Sequence, residues 1–270
     1  MIVPVDDPTD SRLDAFRWRE RQLASVSQRR ERIGAGMFVA EGDLVVGRAI
    51  GAGREPVALL CDERHGAELA ARVPDSVPVY VGSESLRKEV TGLGVPLSAT
   101  GLFRRPALLP PGGMLTTSRF VVATEAVDNP TNLGAIVRSA VALGWDGLLL
   151  DSTSADPLAR RALRVSMGTG LSVPFARLAP GGDLASLLHG HGFVTCALTP
   201  HPGATDISRV SIPAGGRVAV LLGSERSGLT ENALAQASVA VRIPMHAGTD
   251  SLNVGAAAAI ALQMLGPNRT

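Results

Sequence analysis

The chain has 270 residues, of which 45% are apolar, so it is long enough for one or two domains and can bury a substantial core. Its 26 basic residues nearly balance its 25 acidic ones, which excludes the overall positive field of a strongly basic polyanion binder and confines any nucleic-acid surface to part of the molecule. Cys61 and Cys196 are too far apart in the sequence for the spacing of a metal site. The amino-terminal residues lack a signal-peptide pattern, and polar residues interrupt the longest uncharged stretches, which a membrane-spanning helix would need to be apolar. We therefore expect a cytoplasmic protein with no metal site and no membrane span.

Residues 11–32 form the first distinctive segment. They contain seven arginines and three acidic residues, and their apolar side chains recur at roughly helical spacing. The pattern predicts a basic amphipathic helix, in which Arg29 and Arg30 are candidate contacts to nucleic-acid phosphates. A solvated arginine-rich face with a few ion pairs is an equally open interpretation.

The region that follows alternates between strand-like and helical runs. The strand-like runs are MFVAEG, PVALLCD and VPVYVG, and the helical runs are DLVVGRAIGAG, RHGAELAARV and SESLRKEV. This alternation predicts a small α/β domain over residues 1–104. Residues 105–118 are rich in proline and glycine and show little periodicity, so we expect a linker there.

The alternation resumes over residues 119–270. The strand-like runs are RFVVATEAV, DGLLLD, FVTCALT, RVAVLLG and VAVRIPM; the helical ones are NLGAIVRSAVALG, DPLARRALRVSMG, TENALAQA and residues 251–265. Nearly continuous apolar strands separated by helices predict a parallel sheet covered on both faces. In such sheets, ligands bind beyond the carboxyl ends of the strands.

Three of these strand ends carry polar segments. They are AVDNPTNLGAIVRSA at residues 126–140, VAVLLGSERSGLT at 218–230 and VRIPMHAGTDSLNVGAAAAIALQML at 241–265. Taken singly, each is compatible with an ordinary turn, a helix cap or close helix packing. None is a glycine-rich dinucleotide-binding loop or a lysine-containing phosphate loop, since Lys88 in the first domain is the single lysine.

In this order, the three segments resemble the three motifs of the SpoU, or TrmH-like, branch of the SPOUT superfamily of RNA methyltransferases. The resemblance covers residues 119–270, and GMFVAEGDLVVGRAI is more loosely similar to the start of an L30e-like RNA-binding domain. It implies an α/β protein in which a smaller L30e-like domain precedes a carboxy-terminal, trefoil-knotted, parallel-sheet methyltransferase domain. It also implies a homodimer in which each active site is completed across the interface.

The resemblance further implies an RNA substrate and S-adenosylmethionine as the cofactor, bound in the knot. Because glycine has no Cβ, we expect Gly223 to let a flat ligand lie against the backbone. The residues expected to hold the cofactor are Leu198, Thr199, Leu222, Gly223, Ile243, Met245 and Leu252. The residues expected to be catalytic are Asn132, Arg138, Glu225, Ser251 and Asn253.

Arg138 stands in an otherwise apolar helical run, which predicts a place on the interior face. In the implied reaction a ribose 2′-hydroxyl loses its proton as it attacks the methyl group. Arginine stays protonated, so we expect Arg138 to hold a phosphate and the developing alkoxide rather than to act as a base. Asn132 would orient the ribose or Arg138, Glu225 would orient donors, and Ser251 and Asn253 would lie near the substrate ribose. A buried salt bridge between Arg138 and Glu225 is the structural alternative.

Ribosomal RNA, in particular 23S, is the first expected substrate, and transfer RNA is the alternative. The preference follows from the large first domain, which the TrmH proteins that act on transfer RNA typically lack. An RNA-binding protein that has lost catalysis on the same fold and an enzyme that methylates a base also stay open at this point.

Overall fold

The computed structural model describes residues 1–23, 36–93, 97–246 and 251–267. Arg29 and Arg30, the predicted RNA contacts, lie outside these ranges. The chain divides into two compact units. Unit one comprises Met1–Ala107 and Leu158–Leu171, and unit two comprises Leu108–Pro157 and Ser172–Thr270.

The strands in chain order are β1 (Ile2–Pro4), β2 (Met37–Glu41), β3 (Pro56–Cys61), β4 (Val79–Val81), β5 (Ala99–Arg104), β6 (Phe120–Thr124), β7 (Gly147–Leu150), β8 (Phe175–Arg177), β9 (Phe193–Leu198), β10 (Thr205–Asp206), β11 (Arg217–Leu222) and β12 (Val239–Arg242). The α-helices are α1 (Asp14–Arg17), α2 (Glu20–Leu23), α3 (Asp43–Gly51), α4 (Glu63–Ala70), α5 (Glu84–Thr91), α6 (Pro111–Thr117), α7 (Pro130–Ala142), α8 (Arg160–Val165), α9 (Leu184–Gly190), α10 (Glu231–Gln236) and α11 (Val254–Leu265).

Unit one is built on a mixed five-stranded sheet in the order β1-β4-β3-β5-β2. Strands β1, β4 and β3 are parallel, and β5 runs antiparallel to both β3 and β2. The helices start where the sequence offers caps: Asp62 accepts the His65 amide at the start of α4, and Ser83 accepts the Leu86 amide at the start of α5. The predicted strands and helices of this region are confirmed, whereas β1 and β5 were not predicted. The L30e-like identity of the domain stays a prediction.

The predicted basic helix is wrong over its described part, because the backbone turns out of helical geometry at Trp18 (ψ 137°). The Arg160 guanidinium donates to the carbonyl oxygens of Phe16 and Trp18, at 2.6 and 3.1 Å. A continuous helix would use these oxygens for its own amide hydrogen bonds. The segment therefore forms two separate one-turn helices, α1 and α2.

Unit two is built on a parallel seven-stranded sheet, in the order β10-β12-β9-β11-β6-β7-β8 within the described residues. Apolar side chains of α7 and α11 pack on one face, and those of α6, α9 and α10 pack on the other. The predicted parallel sheet with both faces covered is thus confirmed. The trefoil knot stays a prediction.

Two parts of the chain differ from the predicted organisation. The expected linker contains α6, whose Met114 and Leu115 are buried in the core of unit two. The segment Leu158–Leu171 groups with unit one, although the sequence pattern placed it in the second domain. Helix α8 in this segment packs against β2, where its Arg160 is ion-paired to Glu41.

Candidate active site

A cavity of about 790 Å³ lies in unit two, beyond the carboxyl ends of the neighbouring strands β9, β11 and β12. Parallel strands bring these ends to one edge of the sheet, where ligands of such folds bind. All seven residues that the resemblance assigned to the cofactor line this cavity, and so do Asn132, Glu225, Ser251 and Asn253. The structure therefore brings together segments that are separated by more than a hundred positions in the chain.

The loop after β11 forms one wall of the cavity and closes tightly on itself. Ser224 and Gly228 exchange two backbone hydrogen bonds, at 3.1 and 3.0 Å. The Ser224 hydroxyl also accepts the Ser227 amide at 3.1 Å. Gly228 has a φ of +70°, which glycine adopts without strain. The loop is thus held in shape by its own backbone.

Contrary to the prediction from the sequence, Gly223 does not leave room for a flat ligand, because the loop packs closely against it. A Cβ added at Gly223 would lie 2.1 Å from the carbonyl carbon of Gly228 and from the amide nitrogen of Leu229. The space that glycine leaves is therefore filled by the loop itself and not kept for a ligand. Glycine is required here because the two ends of the loop touch.

A chain of polar side chains connects the three motif segments. The Asn132 amide nitrogen donates to Glu225 Oε1, and the Asn253 amide nitrogen donates to Asn132 Oδ1 at 3.0 Å. Asn253 Oδ1 in turn accepts the Gly255 amide at 2.9 Å and caps the start of α11. Because the amides of Asn132 and Asn253 each donate one bond and accept another, the orientation of these two side chains is fixed.

The link between Asn132 and Asn253 depends on close packing of α7 and α11. A Cβ added at Gly255 would lie 3.0 Å from the Cβ of Ala135 and 3.2 Å from Asn253 Oδ1. Small residues on both helices thus let the start of α11 come near enough to α7 for the two amides to meet.

Glu125, at the carboxyl end of β6, was missed in the sequence. Its backbone amide donates to the Leu222 carbonyl at 2.9 Å, and its carboxylate accepts from the amide and hydroxyl of Thr230, at 2.8 and 3.0 Å. It therefore ties the last residue of β11 to Thr230, which caps α10 beyond the Gly223 loop. No local pattern signalled this contact, because the two partners are distant in sequence.

The turn that precedes α7 is strained and is supported by the loop that follows β7. Ala126 has a φ of +55°, a conformation unusual for a residue other than glycine. The Ser154 hydroxyl accepts the Val127 amide at 3.1 Å. Burial opposes ionisation of Asp151, but hydrogen bonds from Ser154, Thr153 and the Ala126 amide outweigh it and lower the pKa of this carboxyl. These contacts fix the entry into the helix that carries Asn132.

Arg138 does not lie where it was predicted. It is exposed on α7, does not line the cavity, and has no hydrogen-bond or ion-pair partner among the residues that the structure describes. The predicted interior position and the alternative salt bridge to Glu225 are both wrong within this chain. The half-buried Ala135 and Val141 on either side of Arg138 pack against α11 and the core, so the apolar run by itself predicts an interior position for the whole helix.

Other kinds of site are not evident in the described part of the chain. Burial raises the pKa of the Cys196 thiol to about 12 and that of Cys61 to about 11, so neither is a thiolate nucleophile at neutral pH. The described residues contain no group of three or more histidine, cysteine, aspartate or glutamate side chains suited to a metal ion. None of the helices within the described ranges is both long and apolar enough to span a membrane.

Comparison with known proteins finds relatives over most of the chain. Residues 119–263 match the model of the SpoU rRNA Methylase family. A Mycobacterium tuberculosis protein described as an uncharacterized tRNA/rRNA methyltransferase is 39% identical, over 96% of this chain and 90% of its own. A Bacillus subtilis protein named 23S rRNA (guanosine(2553)-2′-O)-methyltransferase is 27% identical, over 86% of this chain and 89% of its own.

Two solved structures share the fold over nearly their whole length. An rRNA methyltransferase from Sinorhizobium meliloti with bound S-adenosylmethionine has a TM-score of 0.81 and 25% identity, with 97% of both chains covered. A structure described as an RNA 2′-O ribose methyltransferase has a TM-score of 0.74 and 25% identity, with 98% of this chain and 97% of the other covered.

Proposed function

Because this chain belongs to the SpoU rRNA methylase family, we propose that this RNA methyltransferase uses S-adenosylmethionine to methylate a ribose 2′-hydroxyl of ribosomal RNA in the cytoplasm. The chain of hydrogen bonds from Glu225 through Asn132 to Asn253, at the edge of the cavity, carries the proposal. The 2′-O position is favoured by the names of two relatives, and ribosomal RNA by one of them.

The cavity fits S-adenosylmethionine in size and chemistry. Its volume of about 790 Å³ is within the range of protein sites for small ligands. Leu198, Leu222 and Ile243 offer apolar surface for a flat purine, and Thr199 and Ser251 offer hydroxyls for its polar groups. When bound, the cofactor supplies an electrophilic methyl group.

The residues of this chain would prepare the acceptor. Asn132, held by its two neighbours, would orient the ribose so that the 2′-oxygen faces the methyl group. The 2′-hydroxyl would release its proton to solvent water as the O–C bond forms and the methyl–sulfur bond breaks, with the electron pair of that bond going to sulfur. Because the proton leaves while the O–C bond is still incomplete, the oxygen carries partial negative charge. A guanidinium is suited to stabilise that charge and a flanking phosphate through paired hydrogen bonds. Arg138 is our candidate for this role.

Since Arg138 faces away from the cavity of its own chain, we propose that it serves the cavity of a second copy in a homodimer. It lies on the exposed side of α7, and the neighbouring α11 exposes Ala256 and Ile260 four residues apart. An exposed isoleucine among small side chains suits close packing of a second copy. In that arrangement each site would combine Asn132 of one subunit with Arg138 of the other.

The proposal is tested by methyl transfer from radiolabelled S-adenosylmethionine to protein-free 23S ribosomal RNA and, separately, to transfer RNA. We expect label in the ribosomal RNA, with a higher kcat/KM than for transfer RNA. Preferential labelling of transfer RNA would reassign the substrate. Binding of RNA without any binding of S-adenosylmethionine would identify an RNA-binding protein that has lost catalysis.

For Arg29 and Arg30, we propose contacts to substrate phosphates. Replacing both with alanine should weaken binding of 23S ribosomal RNA and lower the slope of log affinity against log salt by roughly 0.7 to 0.9 for each lost contact. The affinity for S-adenosylmethionine should not change. A slope equal to that of the wild type would assign the two arginines to solubility.

A further inference from the structure

We propose that α3 and α8 of unit one form a second docking surface for the sugar-phosphate backbone of RNA. This surface, called here the α3–α8 face, is defined by Leu44, Arg48, Arg161, Arg164 and Met167. The proposal rests on the proposed function insofar as RNA is the substrate. It concerns a surface in unit one, whereas the cavity lies in unit two.

The members of the α3–α8 face are contiguous. Arg161 and Arg164 are separated by one turn of α8, and the Met167 amide donates to the Arg164 carbonyl at 3.1 Å. The Arg48 guanidinium reaches the Met167 carbonyl at 2.5 Å, and Leu44 precedes Arg48 by one turn of α3. The two helices thus present their side chains as one surface.

The close approach of these helices requires a glycine. Gly168, with a φ of +79°, lies against α3, and a Cβ there would be 3.3 Å from the Cα of Val45. The turn after α8 therefore packs directly on the backbone of α3.

The face carries positive charge that the surrounding carboxylates do not cancel. The buried Glu41 carboxylate is shared by two guanidinium groups, those of Arg160 at 3.1 Å and Arg164 at 3.2 Å. Arg161 is exposed and has no hydrogen-bond or ion-pair partner among the described residues. Arg48 is also exposed and donates to a carbonyl rather than to a carboxylate. Asp43 is an exposed carboxylate in the first turn of α3, and the Glu20 carboxylate accepts the Arg160 amide at 2.7 Å at the start of α8. With Glu41, these carboxylates are one fewer than the guanidinium groups of Arg48, Arg160, Arg161 and Arg164.

Two other arginines of unit one, Arg12 and Arg17, are paired differently. Arg12 faces Asp10 at 2.5 Å, Arg17 faces Asp14 at 2.8 Å, and each has its own carboxylate. Arg19 and Arg64 are exposed without a carboxylate partner among the described residues, but neither belongs to this cluster. The α3–α8 face differs because it groups several guanidinium groups on two neighbouring helices, which suits it to attract a polyanion. Guanidinium groups also match phosphate oxygens in geometry, through two parallel hydrogen bonds.

Two apolar side chains lie among these arginines. Leu44 is 47% exposed and Met167 is 38% exposed. Met167 also has a φ of +55°, a strained conformation for this residue, which the turn after α8 imposes. A small anion bound by these arginines would leave the two apolar side chains in water, whereas a nucleic-acid chain would cover them with its ribose and base surfaces, which favours RNA over a small anion.

The test compares RNA binding by the full-length protein and three variants, with protein-free 23S ribosomal RNA as the probe and salt varied from about 50 to 200 mM. The first variant is Arg48→Ala combined with Arg161→Ala. The second is Met167→Gly, since glycine adopts the same positive φ without strain. The control is Arg104→Ala, which removes an exposed arginine that is ion-paired with Glu55 at 3.6 Å.

We expect the double variant to bind RNA about tenfold more weakly and to lose roughly 0.7 to 0.9 of salt slope for each contact. Met167→Gly should bind RNA more weakly while melting no earlier than the wild type. S-adenosylmethionine affinity and kcat at saturating RNA should be unchanged, with KM for RNA raised. An RNA affinity and salt slope equal to those of the Arg104→Ala control would overturn the proposal.

The RNA-binding test of the α3–α8 face can fail independently of the methyl-transfer test of the proposed function. If the wild-type protein transfers no methyl group to any RNA, the proposed function fails, while the salt slopes still decide whether the α3–α8 face binds RNA. If methyl transfer is normal and the slopes are unchanged, the docking surface alone fails.

Discussion

Replacing Arg138 with alanine is expected to lower the single-turnover methylation rate by roughly a hundredfold or more, the scale of losing one preorganised charge-stabilising donor. Arg138→Lys should fail to restore the rate, because lysine lacks the planar fork. Since Arg138 is exposed and unpaired among the described residues, the melting temperature and S-adenosylmethionine affinity should stay near those of the wild type. Normal methylation by Arg138→Ala would remove the catalytic assignment.

The same variant tests whether the site is shared between subunits. Arg138→Ala and Asn132→Ala subunits carrying different tags are combined, and the heterodimer is purified by both tags. If Arg138 acts in the partner's site, one of the two sites holds both wild-type residues, and about half of the wild-type rate per dimer should return. If it acts within its own chain, both sites lack one residue and the heterodimer should be as inactive as its parents.

Gly223→Ala is expected to disable the cavity by displacing its wall. The added Cβ would lie 2.1 Å from backbone atoms of Gly228 and Leu229, so the loop has to move. A displacement of about an ångström at this wall should weaken S-adenosylmethionine binding by roughly a hundredfold, and the strain should cost about 1–3 kcal/mol of folding stability.

Gly190→Ala, at the end of α9, is the matched control for Gly223→Ala. A Cβ at Gly190 meets no atom within 4 Å, so neither stability nor cofactor affinity should fall. Calorimetric titration with S-adenosylmethionine and thermal melting measure both effects. Wild-type affinity in Gly223→Ala would show that this loop does not form the binding wall.

Local patterns in the sequence were sufficient for the parallel sheet and for the grouping of the motifs. The apolar strands β6, β11 and β12 each end in a polar segment, and a parallel sheet necessarily brings such ends to one edge. This is why the sequence alone predicts that Asn132 and Asn253 lie near each other.

Features that depend on contacts between distant segments could not be predicted in this way. The break at Trp18 arises from hydrogen bonds to Arg160, and the role of Glu125 arises from Thr230. Similarly, an apolar helix does not reveal which of its faces is outward, so Arg138 was placed inside. For Trp18 and Glu125 the deciding partner is far away in the chain.

The central claim, that the three strand-end segments form a site for methylating ribose, is tested most directly by the position of the transferred methyl group. Protein-free 23S ribosomal RNA is incubated with the protein and S-adenosylmethionine that carries a deuterated methyl, then digested to nucleosides for mass spectrometry. We predict a deuterated methyl on the ribose fragment, and its loss when Asn132 is replaced with alanine. A deuterated methyl on the base fragment, or a ribose signal unchanged in Asn132→Ala, would contradict the account.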